Sequence, residues 1–171
     1  MKIHHYLPLL LLSPLAHAGA DCQPVYDAMQ KLAITPVREH MQQTADFKQS
    51  TSNGEVIITP TAMYVQVDGK WKSTPYDPNK QAQAIAESAT TRHTVCTHQP
   101  DEKVGAEVAD VYATHDVQEA GTTINGKLWI SKTRGVPLRQ MIDMDVGGKR
   151  GKSHTDLRFD YANVQPPVAG Q

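Results

Sequence analysis

Charge of one sign, cysteine and long apolar runs are all scarce in this 171-residue sequence, and each scarcity excludes something. Lysine plus arginine number 17 against 18 acidic residues, for a formal net charge of −1. So balanced a chain has no broad basic face for nucleic acid and no polybasic anchor for an anionic membrane. Its one apolar run of note, residues 7–12, is interrupted by Pro8 and is far shorter than the roughly 20 residues of a membrane span. No later stretch is long or apolar enough to span. There is no Gly-x-Ser-x-Gly elbow, the mark of a strained serine nucleophile. No repeat period or low-complexity tract is visible.

The short apolar run does have the surroundings of an export signal. Lys2 supplies a positive start, Ser13-Pro14 ends the run, and Ala16-His17-Ala18 and Ala18-Gly19-Ala20 both fit the small-x-small cleavage pattern. We therefore expect residues 1–20 to be a cleavable signal peptide, with either site in use. Residues 21–165 would form a single domain and 166–171 a flexible tail, in a protein that works in the periplasm. Cys22 follows Gly19 and Asp21 at the places where a lipidation signal wants an aliphatic residue and Gly or Ala, so a lipid anchor is not expected. Its only partner is Cys96. In an oxidising compartment the two should form a disulfide closing a loop of about 75 residues, worth roughly 4 kcal/mol in the chain-entropy model.

Residues 21–33 read as a helix, since Val25, Ala28, Met29, Leu32 and Ala33 share one face at a period near 3.6. Thr35-Pro36 stops it. Residues 37–48 look extended but polar, and 50–54 look like a turn cluster. Residues 55–59 and 63–67 read as strands, the second closed by Asp68-Gly69, a strong hairpin dipeptide. Lys70-Trp71-Lys72 begins the return. A loop at 75–79 precedes a second helix at 80–91 containing Ala82, Ala84, Ile85, Ala86 and Ala89. Residues 94–97 look extended, 99–102 a polar break, and 103–117 one strand. Three more strands follow at 126–132, 138–146 and 155–161, with turns at 133–135 and 147–151. In the last, Leu157, Phe159 and Tyr161 alternate with Asp156, Arg158 and Asp160, the pattern of a half-buried strand. Runs of strands with few helices indicate an α+β antiparallel architecture. Trp129 is expected to face whatever that sheet covers.

Several stretches invite a chemical reading and fail it. Of the histidines beyond the signal (His40, His93, His98, His115, His154), only His93 and His98 are close, with Cys96 between them. A bridged Cys96 cannot ligate, so no metal site is expected. Asp143-Met144-Asp145 starts like a calcium loop, but His154 stands where that loop needs its glutamate. Gly151-Lys152-Ser153 ends like a phosphate loop, but Val146 stands where its first glycine belongs and a strand follows. No catalytic residues and no cofactor are expected.

The chain does resemble one family. An export signal and amphipathic helix precede the hairpin Met63-Tyr64-Val65-Gln66-Val67-Asp68-Gly69-Lys70-Trp71. The strand Leu128-Trp129-Ile130 then runs into Thr133-Arg134-Gly135-Val136-Pro137-Leu138-Arg139, and Tyr161-Ala162-Asn163-Val164 ends near a Pro pair. In this order the residues are similar to the LolA/LolB-like periplasmic lipoprotein-carrier superfamily. The resemblance implies an incomplete, strongly curved antiparallel β-barrel with helices on its concave face, able to hold acyl chains between the two. It implies a non-enzymatic binding protein whose partner is a lipid or other apolar molecule. Trp129, Trp71, Tyr64 and Phe159 would be the walls of that space and Met29, Leu32 and Ile85 its roof. The same aromatics would otherwise form a filled core. The chain would then be a protein-interaction module with a periplasmic protein partner, such as an envelope-stress sensor or an inhibitor or immunity-type protein.

Overall fold

The computed structural model describes residues 22–46, 50–67, 69–118, 121–147 and 151–167. Among the described residues two helices and nine strands follow one another as α1 (Gln23–Ile34), β1 (Val37–Ala45), β2 (Ser50–Ile58), β3 (Ala62–Val67), β4 (Lys70–Pro75), α2 (Pro78–Thr91), β5 (Val95–Val104), β6 (Glu107–Val117), β7 (Thr123–Ser131), β8 (Pro137–Asp145) and β9 (Lys152–Asp160). All nine strands form one sheet in the order β4-β3-β2-β1-β9-β8-β7-β6-β5. Two meanders, β1 to β4 and β5 to β9, are thus stitched together by the antiparallel β1–β9 pair. The expected α+β architecture is present. Among the described residues no helix is long and apolar enough to cross a membrane.

The tethers of α1 show that the sheet curls. Strands β4 and β5 are its two edges, eight inter-strand steps apart, or roughly 38 Å if the sheet were flat. Yet α1, with 12 residues and so about 18 Å long, is fastened to both. At its N-terminal end Cys22 is bonded to Cys96 of β5, with the two Cα atoms 5.1 Å apart. At its C-terminal end the Ala33 carbonyl accepts a hydrogen bond of 2.8 Å from Tyr76 Oη, just beyond β4. A helix this short reaches both edges only if they bend round it. The sheet is an open half-barrel, and α1 lies on its concave face.

The register assigns the side chains to faces, because residues directly opposite across a ladder point the same way. One row runs Tyr112, Leu128, Gln140, Leu157, Met41, Gly54. Leu128 and Ile130 of this parity pack on Ala28, with Val25, Met29 and Tyr112 around them, which makes it the inner face. The neighbouring row, Val111, Trp129, Arg139, Arg158, His40, Glu55, is therefore the outer face.

Trp129 thus points away from the helices, contrary to expectation, although it is only 3 % exposed. Its indole is covered by charged side chains rather than by a helix. Lys127 Nζ lies 4.8 Å and Arg139 Cζ 5.0 Å from the ring centroid, and Nε1 donates to Glu102 Oε2 at 2.8 Å. Such cations keep their heads in water while their stems shield the apolar ring. Ala109, Val111 and Leu138 complete a small core on this outer side.

The larger departures from the sequence reading are at element boundaries. The turn-like residues 50–54 belong to β2, paired with 41–45 of β1. The polar break at 99–102 is instead a register shift inside the edge strand β5, where Pro100 is tolerated because an edge has an unpaired side. Residues 103–117 form two strands, turning at Gly105, whose φ of +61° suits glycine. The expected signal peptide, Asp68, the tip at 148–150 and residues 168–171 of the tail lie outside the described residues.

Candidate ligand cavity

Between the helices and the β1–β4 half of the sheet lies a cavity of about 760 Å³. Helix α1 contributes Met29, Leu32 and Ala33, and α2 contributes Lys80, Gln81, Ala84 and Ile85. The sheet side consists of Glu39, Ile58 and Met63, and the β4–α2 connection adds Pro75, Tyr76 and Asp77. Apart from Glu39 the walls are apolar, and the polar groups come from the connection and from α2.

Helix α2 is the loosely held part of this enclosure. Pro78 occupies its first turn, and the Asp77 carboxylate accepts hydrogen bonds from the amides of Asn79 and Lys80, both at 3.1 Å. That cap satisfies two donors left free at a helix start. No residue of α2 is fully buried, so it stands on the cap and on its packing against α1. Helix α1 is anchored more firmly, by the disulfide and by a bond from Lys31 to the Arg134 carbonyl in the β7–β8 turn.

Glu39 is the chemical peculiarity of the site. It shares strand parity with Val37 and Met41, so its side chain points inward among apolar groups. Among the described residues, none ion-pairs with its carboxylate or donates a hydrogen bond to it. Burial in this low-dielectric setting raises its pKa from 4.5 to about 7. Its influence is felt by Tyr76, whose phenol is pushed up first by burial and then by the Glu39 charge.

Of the residues expected to line a ligand space, Met29, Leu32 and Ile85 do meet in this cavity. Phe159 lies opposite Glu39 in the β1–β9 ladder, on the inner-face parity, but it borders the outer cleft rather than this cavity. Tyr64 and Trp71 share the outer parity, Tyr64 opposite Ile57 and Trp71 opposite Gln66. With Trp129 they lie away from the cavity. Glu39, Ile58, Met63 and Tyr76 were not among the expected residues. The one signal that could have found Glu39 is its place in the alternation between Val37 and Met41.

The outer face has its own cleft, of about 590 Å³, bordered by Trp129, Arg134, Arg139, Arg158 and Tyr161. Most of its charges are already engaged. Arg139 makes two bonds to Asp156, 3.0 and 2.7 Å long, and Arg134 pairs with Glu107. The Arg139 hydrogen bond holds the Asp156 carboxyl below its ordinary range, and Ser131 followed by Arg134 does the same for Glu107. His98, Asp101 and Asp110 bring ligand-type atoms within 4.8 Å of one another. Lys132 Nζ, however, sits 2.5 Å from Asp101 and 3.3 Å from Asp110 and supplies the positive charge there.

No family model matches the chain, and no curated protein matches it. Solved structures do. MucB aligns with a TM-score of 0.50 at 12% identity over 88% of this chain and 63% of that one. LprF from Mycobacterium bovis aligns with a TM-score of 0.47 at 13% identity, over 86% and 96% respectively. A LolA superfamily protein is also among the matches. That protein, from Nitrosomonas europaea, has a TM-score of 0.31 at 9% identity over 84% of this chain and 91% of that one. The likeness is one of fold alone. The chain spans about three fifths of the length of MucB.

Proposed function

We propose that this chain is a non-enzymatic binding protein of the periplasm that holds a lipid or other apolar molecule in the cavity between α1, α2 and β1–β4. The observation that carries this reading is the cavity. Its volume of about 760 Å³ falls in the range of ligand sites. It lies open between the helices and the sheet, so solvent reaches it. Water or a ligand therefore fills it in solution. Walls such as Leu32, Ile58, Met63 and Ile85 offer water few hydrogen bonds, so an apolar molecule displaces it favourably.

The test is native mass spectrometry of protein purified from its own periplasm, followed by solvent extraction of whatever is bound. A defined extra mass that extracts as lipid is expected. A bare chain that also fails to take up an apolar fluorescent dye would refute the reading.

A second reading, a protein-interaction module, draws on the outer cleft, where Trp129, Tyr161 and three arginines meet. MucB, which shares the fold, has been solved in complex with MucA(peri). On this reading Arg158→Glu, an exposed outer-face change, abolishes capture of a periplasmic partner and leaves dye uptake intact. Capture that survives the change would count against it.

A further inference from the structure

We infer that the cavity selects an apolar molecule ending in a protonated amine, whose ammonium group pairs with the Glu39 carboxylate. This rests on the cavity reading and names its ligand class.

The charges facing Glu39 can be taken element by element. Helix α1 presents only Met29, Leu32 and Ala33, and β2 and β3 present Ile58 and Met63. In β9 the opposite residue is Phe159, and just beyond it lies Tyr161, which the Glu39 charge reaches but whose Oη already donates to the Pro137 carbonyl. The β4–α2 connection brings Tyr76 and Asp77, but Tyr76 Oη already donates to the Ala33 carbonyl and Asp77 is engaged in capping α2. Helix α2 brings Lys80, which is exposed and forms no ion pair with Glu39. The cavity thus holds one inward carboxylate that no described side chain neutralises.

A carboxylate taken out of water without a partner is costly, and the cost is removed when a cation enters beside it. The low dielectric that penalises the lone charge strengthens the pair. An anionic head is repelled by the same field. A hydroxyl head can form one hydrogen bond but cannot neutralise the charge. Because burial holds the Glu39 proton up to about pH 7, an amine must displace that proton in acid, and its affinity rises as the pH rises.

The experiment compares three probes of equal chain length, dodecylamine, dodecanol and dodecanoate, by displacement of an apolar fluorescent dye from the ligand-stripped protein. Wild type and Glu39→Gln are measured from pH 5.5 to pH 8. At pH 8 dodecylamine should bind at least about tenfold more tightly than dodecanol, the scale of one charge-assisted bond, with dodecanoate the weakest. The amine's affinity should fall by about tenfold or more toward pH 5.5. Glu39→Gln should abolish both the amine preference and its pH dependence, with an unchanged circular dichroism spectrum and a cooperative unfolding transition as the folding control.

An amine preference that survives in Glu39→Gln, or dodecanoate binding as well as dodecylamine, overturns the inference. Dodecanol binding with no preference for the amine overturns it too but spares the cavity reading. Failure of all three probes to bind sinks both.

Discussion

Replacing Glu39 with Gln should make the ligand-free protein more stable at neutral and alkaline pH and leave it unchanged in acid. In the unfolded chain this carboxyl ionises near 4.5, whereas in the fold it keeps its proton to about 7. Between those values the native state binds more protons than the unfolded state, so stability falls as pH rises. The favourable contribution is complete below 4.5 and is lost as pH passes through 7. At about 1.4 kcal/mol per pH unit, the interval amounts to about 3 kcal/mol. Glutamine cannot ionise and escapes that loss. Urea denaturation followed by tryptophan fluorescence, at 0.1 M salt and from pH 4 to pH 8.5, reads the difference. The two proteins should coincide near pH 4 and diverge to a gap of about 3 kcal/mol above pH 8, which is about 6–12 °C in Tm. Carboxylates held low by their partners, Asp156 by Arg139 and Glu107 by Ser131 and Arg134, destabilise both proteins in acid and cancel in the difference. A gap that does not change with pH, or a wild type that is the more stable above pH 8, would refute the placement of Glu39 among apolar groups on the inner face.

Other consequences are open to simpler tests. Cys22 and Cys96 are separated by 74 residues, so Cys22→Ser with Cys96→Ser should lower stability by about 4 kcal/mol; equal denaturation midpoints for oxidised and double-mutant protein would contradict this. Trp129→Phe removes the indole bond to Glu102 at a cost of about 1–2 kcal/mol and should leave dye uptake unchanged. A folded variant that no longer takes up dye would put Trp129 on the wrong face. Asp77→Ala removes the α2 cap at about 1 kcal/mol. Amide exchange should then accelerate in 81–91 before anywhere else, and uniform acceleration across the sheet would show that α2 does not open alone.

Much of the architecture was legible in the sequence, because period-two and period-3.6 patterns mark elements wherever one face is wet. Strand β9 is the clear case: its inward Leu157 and Phe159 alternate with Asp156 and Arg158. The pattern goes silent where both faces are covered. Leu128, Trp129 and Ile130 are all buried, so alternation cannot say which side meets the helices, and the expectation that Trp129 faces them does not hold. Leu128 and Ile130 lie under α1, while Lys127, Arg139 and Glu102, brought together from three strands, cover the ring. Pairing also overrode local propensity. Residues 50–54 carry turn-forming side chains but extend along β1, since ladder bonds outweigh a weak intrinsic preference.

Glu39 shows why the site itself was harder to read than the fold. In the run Val37-Arg38-Glu39-His40-Met41 three adjacent polar residues hide the alternation, and a glutamate there looks like solvent-facing strand. Register resolves them: Arg38 pairs with Glu55 on the outer side, while Glu39 shares its parity with Val37 and Met41 beneath the helices. A solid core would have no use for a carboxylate at that position, and an apolar residue would remove a penalty of about 3 kcal/mol. In a sheet that curls round a space instead of filling it, the same residue is the one polar group that the sheet itself offers a ligand entering along Leu32 and Ile58. The inward charge and the unfilled volume therefore account for each other. A single substitution, Glu39→Gln, tests the first without disturbing the second.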